Sequence, residues 1–399
     1  MSRFSLQDLD DIKARNSLEH VAGGYVQLRR AGGRLVGPCP VCGGRITSQR
    51  FEILADGESW VCAVCPDGGD VIRLVEKVEG CSFLDAIERL GGPGATPSSS
   101  PKADPAQAKK LFQEREKKRI AREKTAAGYR EAERQRLFRT WKSALPIHGT
   151  PAARYLAGRG LQLPAVCPGL RYLPTAPYWH GETIDSRGHK SPRQIHSGPA
   201  MLAAFIRPDG KFGGLHMTWL SSDAVPVKAT IVDPASGEVL NSKKMRGSKT
   251  GASILLAPAA AAPRRMVVGE GNETSLSVFT ANVLAGRDIA DMEFRAAGDL
   301  GNLGGRAIET VKHPTLKRPN GSPIRVPGPM PDPDDSGLSI PDSVEELILL
   351  GDGDSEPVLT QYAMARAARR CARIGRTIRI AFAPDGQDFN DVLRSGIAA

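Results

Sequence analysis

The sequence predicts a multidomain chain of mixed α+β and α/β class, and three observations carry that expectation. Two Cys-x-x-Cys pairs stand nineteen residues apart near the start. A Gly-, Pro- and Ser-rich break follows, and then a long, charged, helix-forming stretch. Short aliphatic runs that end in glycine and acidic residues occupy the last third. The expected organisation is a zinc ribbon over residues 1–92, a flexible linker and basic helix over 93–145, a mixed α/β subdomain over 146–263, and a Rossmann-like sheet domain over 264–399.

The 399 residues allow two or three domains at about 100–200 residues each. A formal net charge of +10 points to an anionic partner, although composition does not separate nucleic acid from a membrane surface. No N-terminal apolar segment resembles a signal peptide. The most apolar run, 252–263, is short and broken by proline, so a soluble, cytoplasmic protein with no membrane partner is expected.

Seven cysteines in an intracellular chain do not read as a disulfide framework. Cys39-Pro40-Val41-Cys42 and Cys62-Ala63-Val64-Cys65 have ribbon spacing, in which each tight turn points two thiolates at one tetrahedral Zn²⁺. A redox dithiol would use one pair and leave the other unexplained. Cys81, Cys167 and Cys371 are isolated and read as small buried apolar residues. Strand-like segments at 51–54 and 59–62 flank a hairpin turn, and Gly68-Gly69-Asp70 leads into an amphipathic helix, with a second helix from Ser82. This order resembles the N-terminal zinc-binding domain of bacterial DnaG-type primases, with Cys42 where that family usually has histidine. The resemblance implies engagement of single-stranded template, and Trp60 is expected to be a DNA-contacting residue.

Residues 91–105 read as linker. Over 106–143 thirteen Lys and Arg stand against five Glu, so +8 of the net charge lies there. A solvated spacer helix and a nucleic-acid grip both fit, and only Leu137, Phe138 and Trp141 need packing partners. Farther on, 152–160 reads as a helix and 200–206 as a core strand. Residues 205–217 form a hairpin about Pro208-Asp209-Gly210, similar to the strand-turn-strand preceding the catalytic fold in primases and in phage and plasmid proteins. Lys243, Lys244, Arg246 and Lys249 then cluster within eight positions.

Arg265-Met266-Val267-Val268-Gly269 reads as a strand running into Glu270-Gly271, and Leu347-Ile348-Leu349-Leu350 as one buried on both faces, ending in Gly351-Asp352-Gly353-Asp354. A third strand at 378–381 precedes Asp388, Asn390 and Asp391. If the first two strands are parallel neighbours, Glu270 meets Asp352 and Asp354 in the crevice above their carboxyl ends. Carboxylates that close repel unless a hard cation holds them, and Mg²⁺ suits oxygen ligands. The three acidic turns, in this order, resemble the Toprim domain shared by primases and topoisomerases, over residues 264–399. That resemblance implies Glu270, Asp352 and Asp354 as catalytic Mg²⁺ or Mn²⁺ ligands, and Asp388, with Asp391, at a second ion. Glu273 lies one residue nearer Glu270 than the corresponding family acid.

Two motifs are set aside. Gly247-Ser248-Lys249-Thr250 lacks the Walker A spacing, and Gly269-Glu270-Gly271 has Thr274 at the third glycine position of a dinucleotide fingerprint. The histidines show no ligand-like pairing.

Together these resemblances imply a DNA primase of the phage, plasmid or mobile-element kind. Such an enzyme is a nucleotidyltransferase, making short primers on single-stranded DNA from nucleoside triphosphates in a bacterial or phage-infected cell. Lys243, Lys244 and Arg246 are expected to bind nucleotide phosphates or template backbone, against the alternative that they decorate a turn. No helicase ATPase motif is present, so a separate helicase is the expected partner. A Toprim-type metal-dependent nuclease and a catalytically inactive zinc/Toprim DNA-binding protein are the alternatives. The Pro-rich stretch 313–341 reads as a surface insertion without an assigned role.

Overall fold

The structure, a computed structural model, describes residues 6–31, 34–45, 48–54, 57–65, 67–91, 105–186, 188–317, 321, 323–335 and 337–397. The chain divides into two compact units, Met1–Lys124 with Thr310–Val326, and Thr125–Glu309 with Pro327–Ala399. Among the described residues no helix is long and apolar enough to cross a membrane.

In the first unit, helices α1 (Leu6–Arg15) and α2 (Leu18–Tyr25) precede a five-stranded antiparallel sheet. Its strands, in spatial order, are β1 (Arg29–Ala31), β2 (Arg34–Gly37), β3 (Phe51–Ile53), β4 (Trp60–Cys62) and β5 (Gly68–Gly69). The expected hairpin turn at 55–58 lies partly outside the described residues. Helix α3 (Val71–Glu79) starts where the Asp70 carboxylate accepts from the Arg73 amide and stops at Gly80 in a left-handed conformation. Its Val71, Leu74 and Val75 share one face and are buried, together with Ile87 of α4 (Phe83–Gly91).

Trp60 belongs to this core. The expectation that it contacts DNA is corrected: it is fully buried, stacks on Phe51 with ring centroids 5.4 Å apart, and donates its indole N–H to the Asp70 carbonyl at 3.1 Å. The cause is strand periodicity. Trp60 and Cys62 share the inward face of β4, and Val61 between them is exposed.

Of the expected linker at 91–105, Gly91 ends α4, Pro105 begins α5, and 92–104 lie outside the described residues. Helix α5 (Pro105–Ser143) ends with Leu137 and Trp141 buried against Leu215 and Trp219, and Phe138 beside Phe212. Farther up, Glu131 pairs with Arg134 and Glu133 with Arg136 one turn apart.

In the second unit, β6 (Leu145–Pro146), α6 (Pro151–Gly158), β7 (Leu170–Ile184), β8 (Lys190–Ile206), β9 (Phe212–Trp219), the small hairpin β10 (Ile231–Val232) and β11 (Val239–Leu240), and β12 (Lys243–Gly247) follow in sequence. They build a sheet in the order β12-β9-β8-β7-β6. The expected hairpin about Pro208-Asp209-Gly210 joins β8 to β9, with Phe205 opposite Gly214.

The second sheet has the order β13-β15-β14-β18-β19, from β13 (Ile254–Ala257), β14 (Arg265–Gly269), β15 (Met292–Ala296), β18 (Glu346–Gly351) and β19 (Thr377–Phe382). Its helices are α7 (Asn272–Leu284), α8 (Leu300–Gly304), α9 (Pro357–Cys371) and α10 (Phe389–Ile397). Strands β16 (Thr310–Lys317) and β17 (Pro323–Pro327), from the Pro-rich stretch, make a separate two-stranded sheet. Four strands of the larger sheet run parallel, and β13 runs antiparallel at its edge. Strand β13 thus precedes residue 264, where the sheet domain was expected to begin. Met266, Val268, Leu347, Leu349 and Met364 fill one side, and Val267, Phe279, Phe294 and Leu350 the other, as aliphatic runs buried on both faces require.

Candidate functional site

Two candidate sites stand on these frames. In the ribbon, the knuckle amides point at sulfur: Val41 N–H donates to Cys39 Sγ and Val64 N–H to Cys62 Sγ, both at 3.4 Å. Cys39 and Cys65 Sγ are 3.9 Å apart, Cys42 and Cys62 Sγ 3.7 Å, and all four sulfurs lie within 4.8 Å of one another. A tetrahedral ion with Zn–S bonds of about 2.3 Å sets its sulfurs on the order of 3.8 Å apart. The residues therefore fit Zn²⁺. Hydrogen bonding within the cluster pushes the Cys39 and Cys65 thiols up and Cys42 and Cys62 down, so four thiolates coexist only around a cation.

The second site lies at the carboxyl ends of β14, β18 and β19. Strand β14 is followed through α7 by β15 on one side, while β18 lies on its other side, so the crevice sits where the strand order reverses. Glu270 follows β14, Asp352 and Asp354 follow β18, and Asp388 follows β19. Gly353 lets the aspartate turn fit. A Cβ there would meet the Pro384 carbonyl oxygen at 2.1 Å, and the two loops are clasped by Gly353 N–H to Gln387 O and Gly386 N–H to Gly353 O, each 2.9 Å.

The acids act on one another. Burial, then Asp352 and Asp354, push the Glu270 carboxyl up to about 7. Burial pushes Asp352 up to about 6, with Asp388 and Asp354 adding to it against the hydrogen bond from Thr274. That hydroxyl donates to Asp352 Oδ2 at 2.9 Å, while the buried Oδ1 has no hydrogen-bond partner. A buried acceptor without a donor, beside mutually repelling carboxyls, is the donor set a hard divalent cation satisfies. Among the described residues the four cysteines are the only group of three or more such side chains whose ligand atoms all lie within 4.8 Å of one another, so Glu270, Asp352 and Asp354 do not gather as closely as the sulfurs. Asp388 and Asp391 also cap α10, each side chain accepting from the other's amide, at 2.8 and 3.3 Å.

The three expected cations separate. Lys243 and Lys244 are neighbours on β12, so they face opposite ways. Lys243 Nζ is 3.5 Å from Glu273 Oε2 and its charge also reaches Glu270. Lys244 turns away, 3.7 Å from the Tyr178 ring centroid and donating to the Trp179 carbonyl, and burial followed by Arg246 pushes its ammonium down to about 8. Arg246 pairs with Glu133 of α5 at 2.9 Å. The expectation that the three cations act together is corrected, since only Lys243 is directed at the acidic residues, and all three lie on a strand and not in the turn that was the alternative.

The family description "CHC2 zinc finger" matches residues 4–95, "Toprim domain" matches 336–399, and "Domain of unknown function (DUF7146)" matches 131–256. The chain joins a CHC2 zinc finger to a Toprim domain. Its zinc finger is similar to DNA primase of Mycobacterium leprae, 37% identical over 91 residues, and to DNA primase of Mycobacterium tuberculosis strain H37Rv, 38% over 89 residues. These segments cover 23% and 22% of this chain, and 14% of each relative's length. Among solved structures, the zinc-binding and RNA polymerase domains of Aquifex aeolicus primase align over 99% of this chain and 83% of that one, at 14% identity and a TM-score of 0.31. A DNA primase domain from Pseudomonas aeruginosa aligns over 66% and 74%, at 14% identity and 0.32.

The Toprim match contains Asp352, Asp354 and Asp388 and begins after Glu270. Sequence reasoning missed most of the crevice opposite these acids. Burial would raise Glu273, yet Lys243, Lys228 and the Tyr155 hydroxyl bring it down to about 2. Lys228 Nζ lies 3.6 Å from Glu273, and Lys249 pairs with Asp299 while Glu270 acts on its charge. Burial and then Lys243 push His216 down to about 4. None of Tyr155, Lys228 and His216 sits in a motif. The one available signal was Glu273, whose spacing from Glu270 departs from the family pattern.

Proposed function

We propose that the chain is a DNA primase, a nucleotidyltransferase that synthesises short primers on single-stranded DNA from nucleoside triphosphates. The observation that carries this reading is the acidic crevice of Glu270, Asp352 and Asp354, faced by Lys243, in a chain whose zinc finger is similar to those of DNA primases. Glu270, Asp352 and Asp354 would hold Mg²⁺ or Mn²⁺, with Asp388 at a second ion. When bound, the metal neutralises triphosphate charge and stabilises the attacking and leaving oxygens. The chain's own contribution is positional. Thr274 fixes one oxygen of Asp352, the Phe389 amide also acts on that carboxylate, and Lys243 offers a cation to the phosphates beside Glu270. The 3′ hydroxyl of the strand attacks the α-phosphate, pyrophosphate leaves, and no side chain forms a covalent bond. The zinc finger engages the template, and a separate helicase supplies the single strand in the cytoplasm of a bacterial or phage-infected cell.

Incubation of the protein with single-stranded DNA, labelled ribonucleotides, and Mg²⁺ or Mn²⁺ tests the reading. New oligomers are expected. A shortened template makes it a nuclease, and neither change makes it a binding protein.

A further inference from the structure

We propose that Glu273 is a positioning residue, a buried anion that keeps Lys228 and Lys243 aimed into the crevice until nucleotide phosphates take them over. The proposal rests on the nucleotidyltransferase reading of this site.

Glu273 stands in the first turn of α7, with its side chain 12% exposed. Its Oε1 accepts from the hydroxyl of Tyr155, a buried residue of α6, and its Oε2 faces the ammonium groups of Lys228 at 3.6 Å and Lys243 at 3.5 Å. Both oxygens are therefore engaged by the protein itself. The carboxyls that press on Glu270 are Asp352 and Asp354, and the ones that press on Asp352 are Asp388 and Asp354. Glu273 has its two oxygens taken up by Tyr155 and the two lysines, and this sets it apart from the metal-holding set.

Without Glu273 its cations would not stay where they are. The Lys228 side chain is 38% exposed, and its charge is disfavoured by what burial it has and by Lys243 and Arg159, with Glu273 as the opposing attraction. One carboxylate thus holds together groups that repel one another, anchored by a tyrosine that carries no charge. A triphosphate brings several negative charges to these lysines against the single one of Glu273, so the lysines exchange anions while Tyr155 keeps the carboxylate in place. The arrangement has a cost in binding. Each lysine must leave Glu273 before it serves the ligand, and in return both are already oriented when the ligand arrives.

The test compares the full chain with its Glu273→Gln, Glu273→Asp and Tyr155→Phe forms. Binding of inorganic tripolyphosphate without divalent cations is measured by calorimetry, and kcat, KM for nucleotide and the Mg²⁺ dependence by primer synthesis. Glu273→Gln is expected to bind tripolyphosphate about tenfold more tightly, because the competing anion is gone. Its kcat is expected to fall about tenfold or more at an unchanged Mg²⁺ requirement, because the lysines are no longer oriented. Glu273→Asp should recover part of both changes, and Tyr155→Phe should move both in the same direction by less. A raised Mg²⁺ requirement without tighter tripolyphosphate binding makes Glu273 a metal ligand and overturns the proposal. Unchanged binding also overturns it. If Glu273→Gln does not fold, judged by zinc content and near-ultraviolet circular dichroism, Tyr155→Phe decides. If the wild type makes no primers, the functional reading falls, and the tripolyphosphate comparison still decides the role of Glu273.

Discussion

Glu273 also carries a pH signature. Its folded pKa of about 2 lies below the ordinary 4.5, so the stabilisation it gives is complete above pH 4.5 and is lost as pH falls toward 2. A shift of that size corresponds to about 3 kcal/mol. Chemical denaturation at pH 5 and pH 3 should show a steeper acid loss for the wild type than for Glu273→Gln, and parallel losses would remove Glu273 from this role. Trp60 makes a second residue-scale case. Deleting a fully buried aromatic costs about 3–5 kcal/mol, so Trp60→Ala should unfold the ribbon at much lower denaturant. A stable Trp60→Ala protein with weakened DNA binding would restore Trp60 as a contact residue. Its burial was legible: Cys62 must point inward to hold metal, and Trp60, two positions earlier on β4, must point the same way.

At the scale of elements, what could be read in advance was what is local. Two Cys-x-x-Cys turns, three aliphatic strands and the acids just after them are contiguous patterns, and each fixes its own geometry. The zinc site accordingly yields a direct expectation: Cys62→Ser, or chelation of the metal, should release zinc and unfold the ribbon. Unchanged zinc content in Cys62→Ser would refute that ligand set. For the acidic crevice, Asp354→Ala should abolish synthesis with fold and zinc retained, with Glu270→Ala and Asp352→Ala close behind. Near-normal primer yield from Asp354→Ala at ordinary Mg²⁺ would take the aspartate turn out of the chemistry. Other features depended on pairing that no single segment announces. Strand β13 joins the sheet edge from the apolar, proline-broken run that precedes residue 264, where the sheet domain was expected to start. The direction of each cation on β12 follows from its pairing with β9, where Lys243 lies opposite Thr218 and Lys244 opposite Met217. Tyr155 reaches Glu273 across 118 positions of sequence, a distance at which spacing rules say nothing.

Across the whole molecule, the two metal-holding groups differ in how much chain each needs. The four sulfurs fall within residues 39–65, whereas the crevice takes Glu270, the aspartates of 352 and 354, and Asp388 after the last strand. A short loop closes quickly and a long one slowly, and a chain leaving the ribosome offers its N-terminal part first. Synthesis should therefore pass through a long interval in which the nascent protein already carries its zinc finger and has no active centre. Ribosome-stalled chains ending near residue 150 should retain zinc, while those ending near 370 should retain zinc and make no primers. On the proposed function, nascent finger would then occupy template before the crevice that copies it exists, so the interval between the two sites measures how long each unfinished molecule competes with finished ones.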